Sequence, residues 1–313
     1  MSAVLDRGKG ALVNSAAGLD AMADLLQLLI AGIATGAIYA LAAIGFTLLW
    51  QTSQTINFAQ GEFVMLPAFF ALAAMKWGGA PFWLACLVAI VMSMLVLGLA
   101  FKKLIVDPLI ASGAMPLVIS TIGLSIFLKD GVKDAYSAEA QPFPPIFPDT
   151  LVSILGVKVS LAQIGVLFIA FGVILALQWF LGGTRLGRQM QATAQNPTVA
   201  RILGVPVERM ILYTFLINAG LAAMASLLIS PIYLAKFSSG ETIGLAAFVA
   251  AIVGGFNQVR GAIAGGLIVG VLDNLAAVYV STAYRQAVPL VLLVLVILFR
   301  PQGLLGRKEE RSV

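Results

Sequence analysis

Long apolar runs separated by short polar breaks dominate the chain, and the breaks locate its elements. Leu25 to Trp50 is an uninterrupted apolar stretch, longer than the roughly 20 residues needed to cross a bilayer. Gly32, Gly36, Ala40 and Ala43 recur along it at helical spacing, a stripe that lets a neighbouring helix approach closely. Further runs cover Pro81 to Phe101, Leu161 to Leu181, Met210 to Ser230, Ala262 to Val280 and Val288 to Phe299. Pro116 to Lys129 and Thr242 to Gly255 are shorter and interrupted by glycine, too short to span unaided, as pathway segments of transporters are. The pattern predicts an all-α polytopic membrane protein, a bundle of about 8–9 transmembrane or re-entrant helices.

Charge orients that bundle. Arg185, Arg188, Arg201 and Arg209 stand against Glu208 in the polar loop 182–209, which the positive-inside tendency puts in the cytoplasm. Lys102 to Met115, with Lys102 and Lys103 against Asp107, reads as a second cytoplasmic loop. Asp130 to Ser160 is mildly acidic and proline-rich and belongs outside. The chain divides into a polar N-terminal extension 1–24, expected to be poorly ordered, a membrane domain 25–306 and a cytoplasmic tail 307–313. Within the arginine loop, Arg188 to Leu203 can form a short amphipathic helix broken at Asn196-Pro197, with Met190, Ala194, Val199 and Leu203 on one face. It serves either as a solvated connector on the headgroups or as a docking element.

Composition closes off other classes. Of 313 residues, 60% are hydrophobic and 11% charged, with mean hydropathy +1.01, far from the globular range. The net charge of +5 comes from topology-setting loops and does not point to nucleic acid. The chain has no histidine and one cysteine, Cys86, which leaves no thiolate metal site and no intrachain disulfide. There is no phosphate-binding loop, since Lys9, the one lysine after a glycine, lacks the upstream glycine and the following hydroxyl.

Polar residues inside apolar surroundings are the candidate pathway groups. Gln51 to Glu62 carries Asn57, Gln60 and Glu62 without a lysine or arginine, which fits a re-entrant turn lining a wet cavity. Glu62 serves equally well as a first-turn acid favoured by its helix dipole. Thr121 and Ser125 lie in the first short segment. Asp273 is a carboxylate within a span, a costly placement that demands a cavity or a partner; structural and pathway roles both satisfy it.

Several motifs in order resemble one family. G-R-x-x-x-A-x-A-Q-N-x-x-x-A-x-x-x-G-V from Gly187 to Val205 is similar to the cytoplasmic coupling loop of the branched-chain amino acid permeases of ABC importers, the LivH-like family. Ile56 to Glu62 resembles the family's I-N-F-A-H-G-E, with Gln60 where relatives carry histidine. Asp107-Pro108 departs from the family's arginine before proline. Ala246 to Leu275 is similar to a glycine-rich family segment in which Asp273 replaces glutamate, and Arg300 to Gly306 matches R-P-x-G-L-x-G. The resemblance runs from about Leu25 onwards.

The resemblance implies a multi-pass permease of a bacterial inner membrane, an importer subunit that is not itself an enzyme. Its partners would be two ATP-binding cassette subunits carrying ATP and magnesium, a second homologous permease, a periplasmic substrate-binding protein and membrane lipid. Contact with the ATPase would fall on Arg185, Gly187, Arg188, Ala194, Asn196, Ala200 and Gly204. The pathway would include Asn57, Gln60, Glu62, Thr121, Ser125 and Asp273. Branched-chain or other hydrophobic amino acids are the expected cargo; importers of urea, short amides or aromatic acids share this architecture. An ion-coupled secondary transporter or channel using Glu62 or Asp273 is the reading from a different class.

Overall fold

The computed structural model describes residues 2–306 except 55, 111, 149, 155–156 and 286; side chains are described from Met22 on, apart from 53, 154, 157 and 283. The expected tail 307–313 lies outside the described residues. Twelve α-helices follow in order among them. Six apolar segments are long enough to cross a membrane: Met22–Thr52, Phe82–Ile110, Ala114–Ala135, Leu161–Gly183, Val207–Tyr233 and Val259–Tyr279. With the shorter α2 (Gln60–Lys76), α10 (Ser239–Gly254) and α12 (Ala287–Phe299), nine segments form an all-α bundle, as expected.

The centre of the bundle is the antiparallel pair α1 (Ser2–Ser53) and α11 (Val259–Tyr279). Gly32, Gly36 and Ala40 of α1 meet Gly266 and Gly270 of α11 backbone to backbone, and a methyl on Gly270 would come within 2.2 Å of the Gly36 Cα. Small residues at i, i+4 thus remove the side-chain layer between the two helices, which brings dispersion contacts to the backbone itself. The helix α9 (Val207–Tyr233) packs beside α1 and buries Phe215, Asn218, Ala222 and Leu228.

Two expectations about element length are corrected. The apolar rod that begins at α3 (Phe82–Ser93) does not exit at Lys102. It continues through π-helical turns at Met94–Ala100 and Lys102–Val106 into α4 (Asp107–Ile110). Lys102 is buried there because Asp107, five residues on, lies 2.8 Å from its ammonium, and the wider π turn brings that pair together. Secondly, α5 runs Ala114–Ala135, 22 residues, so it is long enough to span. Charged residues Lys129, Asp130, Lys133 and Asp134 continue the helix beyond the apolar stretch instead of ending it. Of the two segments read as short, α10 alone remains so.

At the end of the bundle opposite the arginines, an antiparallel hairpin of β1 (Leu151–Ile154) and β2 (Val157–Ser160) leads into α6 (Leu161–Gly183). Gln141 and Ala235 exchange backbone hydrogen bonds of 2.8 and 3.0 Å, tying the proline-rich loop to the end of α9.

Candidate translocation groove and coupling surface

The break between α1 and α2 is built by its own side chains. Asn57 Oδ1 accepts from the Ala59 amide at 3.0 Å and the Asn57 carbonyl accepts from the Gln60 amide, which starts α2. Asn57 is buried, and its side-chain nitrogen has no hydrogen-bond partner among the described residues. Gln60 is fully buried in a reciprocal amide pair with Asn218 of α9: Gln60 Nε2 donates to Asn218 Oδ1 at 2.8 Å, and Asn218 Nδ2 donates to Gln60 Oε1 at 3.0 Å. Gly45 of α1 supplies the room, since a methyl there would stand 2.0 Å from the Asn218 oxygen.

Opposite this turn, α5 presents Thr121, Ser125 and Lys129 at i, i+4 and i+8, one helical face. Each meets a different element. The Thr121 hydroxyl accepts from the Phe58 amide at 3.3 Å and donates to the Val118 carbonyl. Ser125 lies beside the buried Glu62 carboxylate of α2. Lys129 pairs with Glu241 in the first turn of α10. Of the predicted pathway residues, the structure therefore brings Asn57, Gln60, Glu62, Thr121 and Ser125 together around the start of α2.

Towards the arginine end the groove becomes aromatic. Phe58 and Phe248 approach with ring centroids 6.3 Å apart, and Trp50 and Phe256 at 5.6 Å. A cavity of about 450 Å³ lies among Trp50, Ile56, Phe248, Ile252, Phe256, Asn257, Pro301 and Gln302. Trp50 Nε1 donates to Asn257 Oδ1 at 3.1 Å, and the amides of Leu304 and Leu305 donate to the carbonyls of Val253 and Gly254. The closing R-P-Q-G-L-L-G motif is thereby bound to the end of α10.

Asp273 belongs to a different cluster. Arg285, from the turn before α12, holds it with two 2.7 Å bonds, and the Tyr39 hydroxyl donates to it at 3.1 Å. Arg285 also donates to the Tyr233 hydroxyl at 2.6 Å, so three helices and a turn are joined through one ion pair. Hydrogen bonding to Asp273 raises the Arg285 pKa further above its ordinary value, so the guanidinium stays charged. Asn274 is not the partner of Asp273; it donates to the Gly270 carbonyl. Beside the cluster is a cavity of about 330 Å³ lined by Thr35, Phe147, Gln163, Tyr233 and Asn274, among others.

The arginine loop is a pair of helices, α7 (Arg185–Gln195) and α8 (Pro197–Ile202). Thr184 caps the first by accepting from the Gly187 amide at 2.9 Å, and Asn196 caps the second by accepting from the Val199 amide at 3.0 Å. The break falls at Asn196-Pro197, as the sequence predicts, but the expected shared face does not form. Gly187, Met190, Thr193 and Ala200 turn inward, whereas Val199, Ile202 and Leu203 are exposed, the last two at 79% and 75%. The extended Asn196 backbone re-aims α8 relative to α7, so one helical wheel cannot describe both. Arg185, Arg188, Asn196 and Gly204 are exposed in this loop, and Ala194 is half-buried.

Sequence reasoning missed Lys129, Asn218, Glu241, Arg285 and Tyr39. Arg285 was legible in principle as the nearest cation to an intramembrane acid. Asn218 carried no local signal.

Comparison with known proteins places these features in a lineage. A profile described as branched-chain amino acid transport system / permease component matches residues 28–297. The chain is 34% identical over 300 residues to the high-affinity branched-chain amino acid transport system permease protein BraD of Pseudomonas aeruginosa, covering 92% of this chain and 98% of that protein. Identity to the corresponding protein LivH of Escherichia coli K12 is 32%, covering 92% and 97%. For the probable permease LivH of Methanocaldococcus jannaschii it is 30%, covering 85% and 88%.

Proposed function

The chain belongs to the branched-chain amino acid transport system permease family, and from that premise we propose that it is the membrane-spanning subunit of an ABC importer for branched-chain or other hydrophobic amino acids. Alternating access is driven by separate ATPase subunits, two in number, that hold ATP and magnesium. A second homologous permease completes the pathway, and a binding protein outside the inner membrane delivers the cargo.

The observation that carries this reading is the exposed tip of α8. Val199, Ile202 and Leu203 are exposed in the arginine loop, which also exposes Arg185, Arg188 and Arg201. An exposed apolar patch in a basic loop suits a partner surface with an apolar pocket and acidic groups. The buried face of α7 rests on the end of α6 through Gly187, where a methyl would stand 2.2 Å from the Phe180 carbonyl oxygen. Force passed from α8 to α7 therefore meets the end of the α6 span in direct backbone contact. A self-sufficient carrier has no use for such a knuckle, and Asp273, one of the two carboxylates it would use, is already paired with Arg285.

Co-expression with the neighbouring genes tests the reading. The tagged chain is expected to co-purify with an ATPase, and the double substitution Ile202→Glu, Leu203→Glu to release it while the permease stays folded. A chain that purifies alone, or an ATPase indifferent to the substitutions, contradicts it.

A further inference from the structure

The ion pair between Lys129 of α5 and Glu241 of α10 stands in an unusual place for charge. At about 1.5 Å per residue, the 16-residue α10 covers less than the ~30 Å hydrocarbon core. Its inner end, Gly254, is bound to the chain's closing motif at the arginine end, so its outer end stops short of the opposite surface. The backbone agrees: Gly61, next to the mid-bundle Gln60–Asn218 pair, abuts Gly240, where a methyl on Gly61 would come within 2.2 Å of the Gly240 carbonyl oxygen.

Both partners are nonetheless accessible, the Lys129 side chain at 27% and that of Glu241 at 63%. Charges at this depth that faced hydrocarbon would be costly, so the face they share turns to a wet path. Down that face from Glu241 come Leu245, then Phe248 and Phe58, then the aromatic cavity. Charge lies at one end of the groove and apolar surface along the rest.

We propose that Lys129 and Glu241, with Glu62 beneath them, form a subsite for the α-carboxylate and α-ammonium of a free amino acid, whose apolar side chain lies along Leu245 and Phe248. The inference rests on the permease reading above. The ion pair closes the empty groove. A zwitterion opens it by exchange: its carboxylate takes Lys129 and its ammonium takes Glu241, so the number of opposite-charge contacts rises while net charge is unchanged. Glu62, buried on α2, adds an acceptor on the ammonium side. Urea and neutral amides carry neither charge and cannot make the exchange, so the subsite selects amino acids over them.

The test uses the assembled importer in proteoliposomes with ATP inside and radiolabelled leucine delivered by the binding protein. Lys129→Gln and Glu241→Gln are each expected to cut uptake about tenfold or more, as loss of one charge-assisted contact implies, with the ATPase still co-purifying. Lys133→Gln, one turn away and exposed, is the control and keeps uptake. The double reversal Lys129→Glu, Glu241→Lys remakes the ion pair but inverts the site relative to the aromatic track, and uptake is expected to stay low. Full uptake in either single variant, rescue by the reversal, or loss of assembly in both single variants would each make the pair a structural tie and overturn the proposal. A wild-type importer that assembles but takes up no amino acid refutes the permease reading instead.

Discussion

Gln60 and Asn218, 158 positions apart, pair their amides reciprocally, each donating to and accepting from the other at 2.8 and 3.0 Å. Their pairing fixes the start of α2 against the middle of α9 and depends on the missing side chain of Gly45. Because both are fully buried, removing one leaves the other's polar atoms without water or partner.

Gln60→Ala is therefore expected to destabilise the permease by about 1–3 kcal/mol, the cost of an orphaned buried amide. Gly45→Ala should act in the same direction by overlap. Gln60→His, which restores the residue of the resembling family and keeps a ring nitrogen to bond Asn218, should be the mildest of the three. Thermal unfolding of the purified permease, followed by tryptophan fluorescence, ranks them; equal melting temperatures for Gln60→Ala and the wild type contradict the role given to the pair.

Asp273 and Arg285 make the second tie. Arg285→Ala strands a buried carboxylate, and breaking such a pair costs about 3–5 kcal/mol. The double substitution Asp273→Asn, Arg285→Gln removes both charges and is expected to recover most of that loss in the same melting assay. A double variant as unstable as Arg285→Ala would show that the charge itself, and not its pairing, supports the fold.

The two faces of the arginine knuckle should separate in experiment. Met190 is buried against the bundle, so Met190→Ala is expected to lower stability by about 2–5 kcal/mol, while Leu203→Ala, exposed at 75%, changes it by less than about 0.5 kcal/mol. Leu203→Ala should instead weaken ATPase retention on affinity beads. Loss of stability in Leu203→Ala would place that side chain in the core.

The groove is expected to be wet. With the chain's one cysteine removed by Cys86→Ser, Leu245→Cys should react with a water-soluble thiosulfonate much faster than Phe168→Cys on α6, although Phe168 is the more exposed at 77%. Equal labelling rates would assign Leu245 to lipid.

The parts of this architecture that follow local rules were visible in the sequence. The α1 span, the small-residue stripe at Gly32 and Gly36, the break at Asn196-Pro197 and the shortness of α10 each come from periodicity, a cap or a turn residue. What stayed hidden depends on partners distant in the chain. The burial of Lys102 needs a π turn that no residue announces. Lys129 and Asp130 look like the end of a helix unless Glu241 is known to lie opposite. The inward and outward faces of α7 and α8 are set by the backbone of a single residue, Asn196, and a helical wheel drawn through it mixes them. Asp273 was recognisable as a charge in need of a partner, but the chain itself named several.

The most direct test of the account is leucine uptake by proteoliposomes holding this permease with its co-purified partners, with ATP either sealed inside or absent and the binding protein added outside. Uptake that requires both internal ATP and the binding protein, and that is lost in the Ile202→Glu, Leu203→Glu variant, is the predicted result. Uptake in ATP-free vesicles, driven by an ion gradient and indifferent to changes at α8, would contradict it.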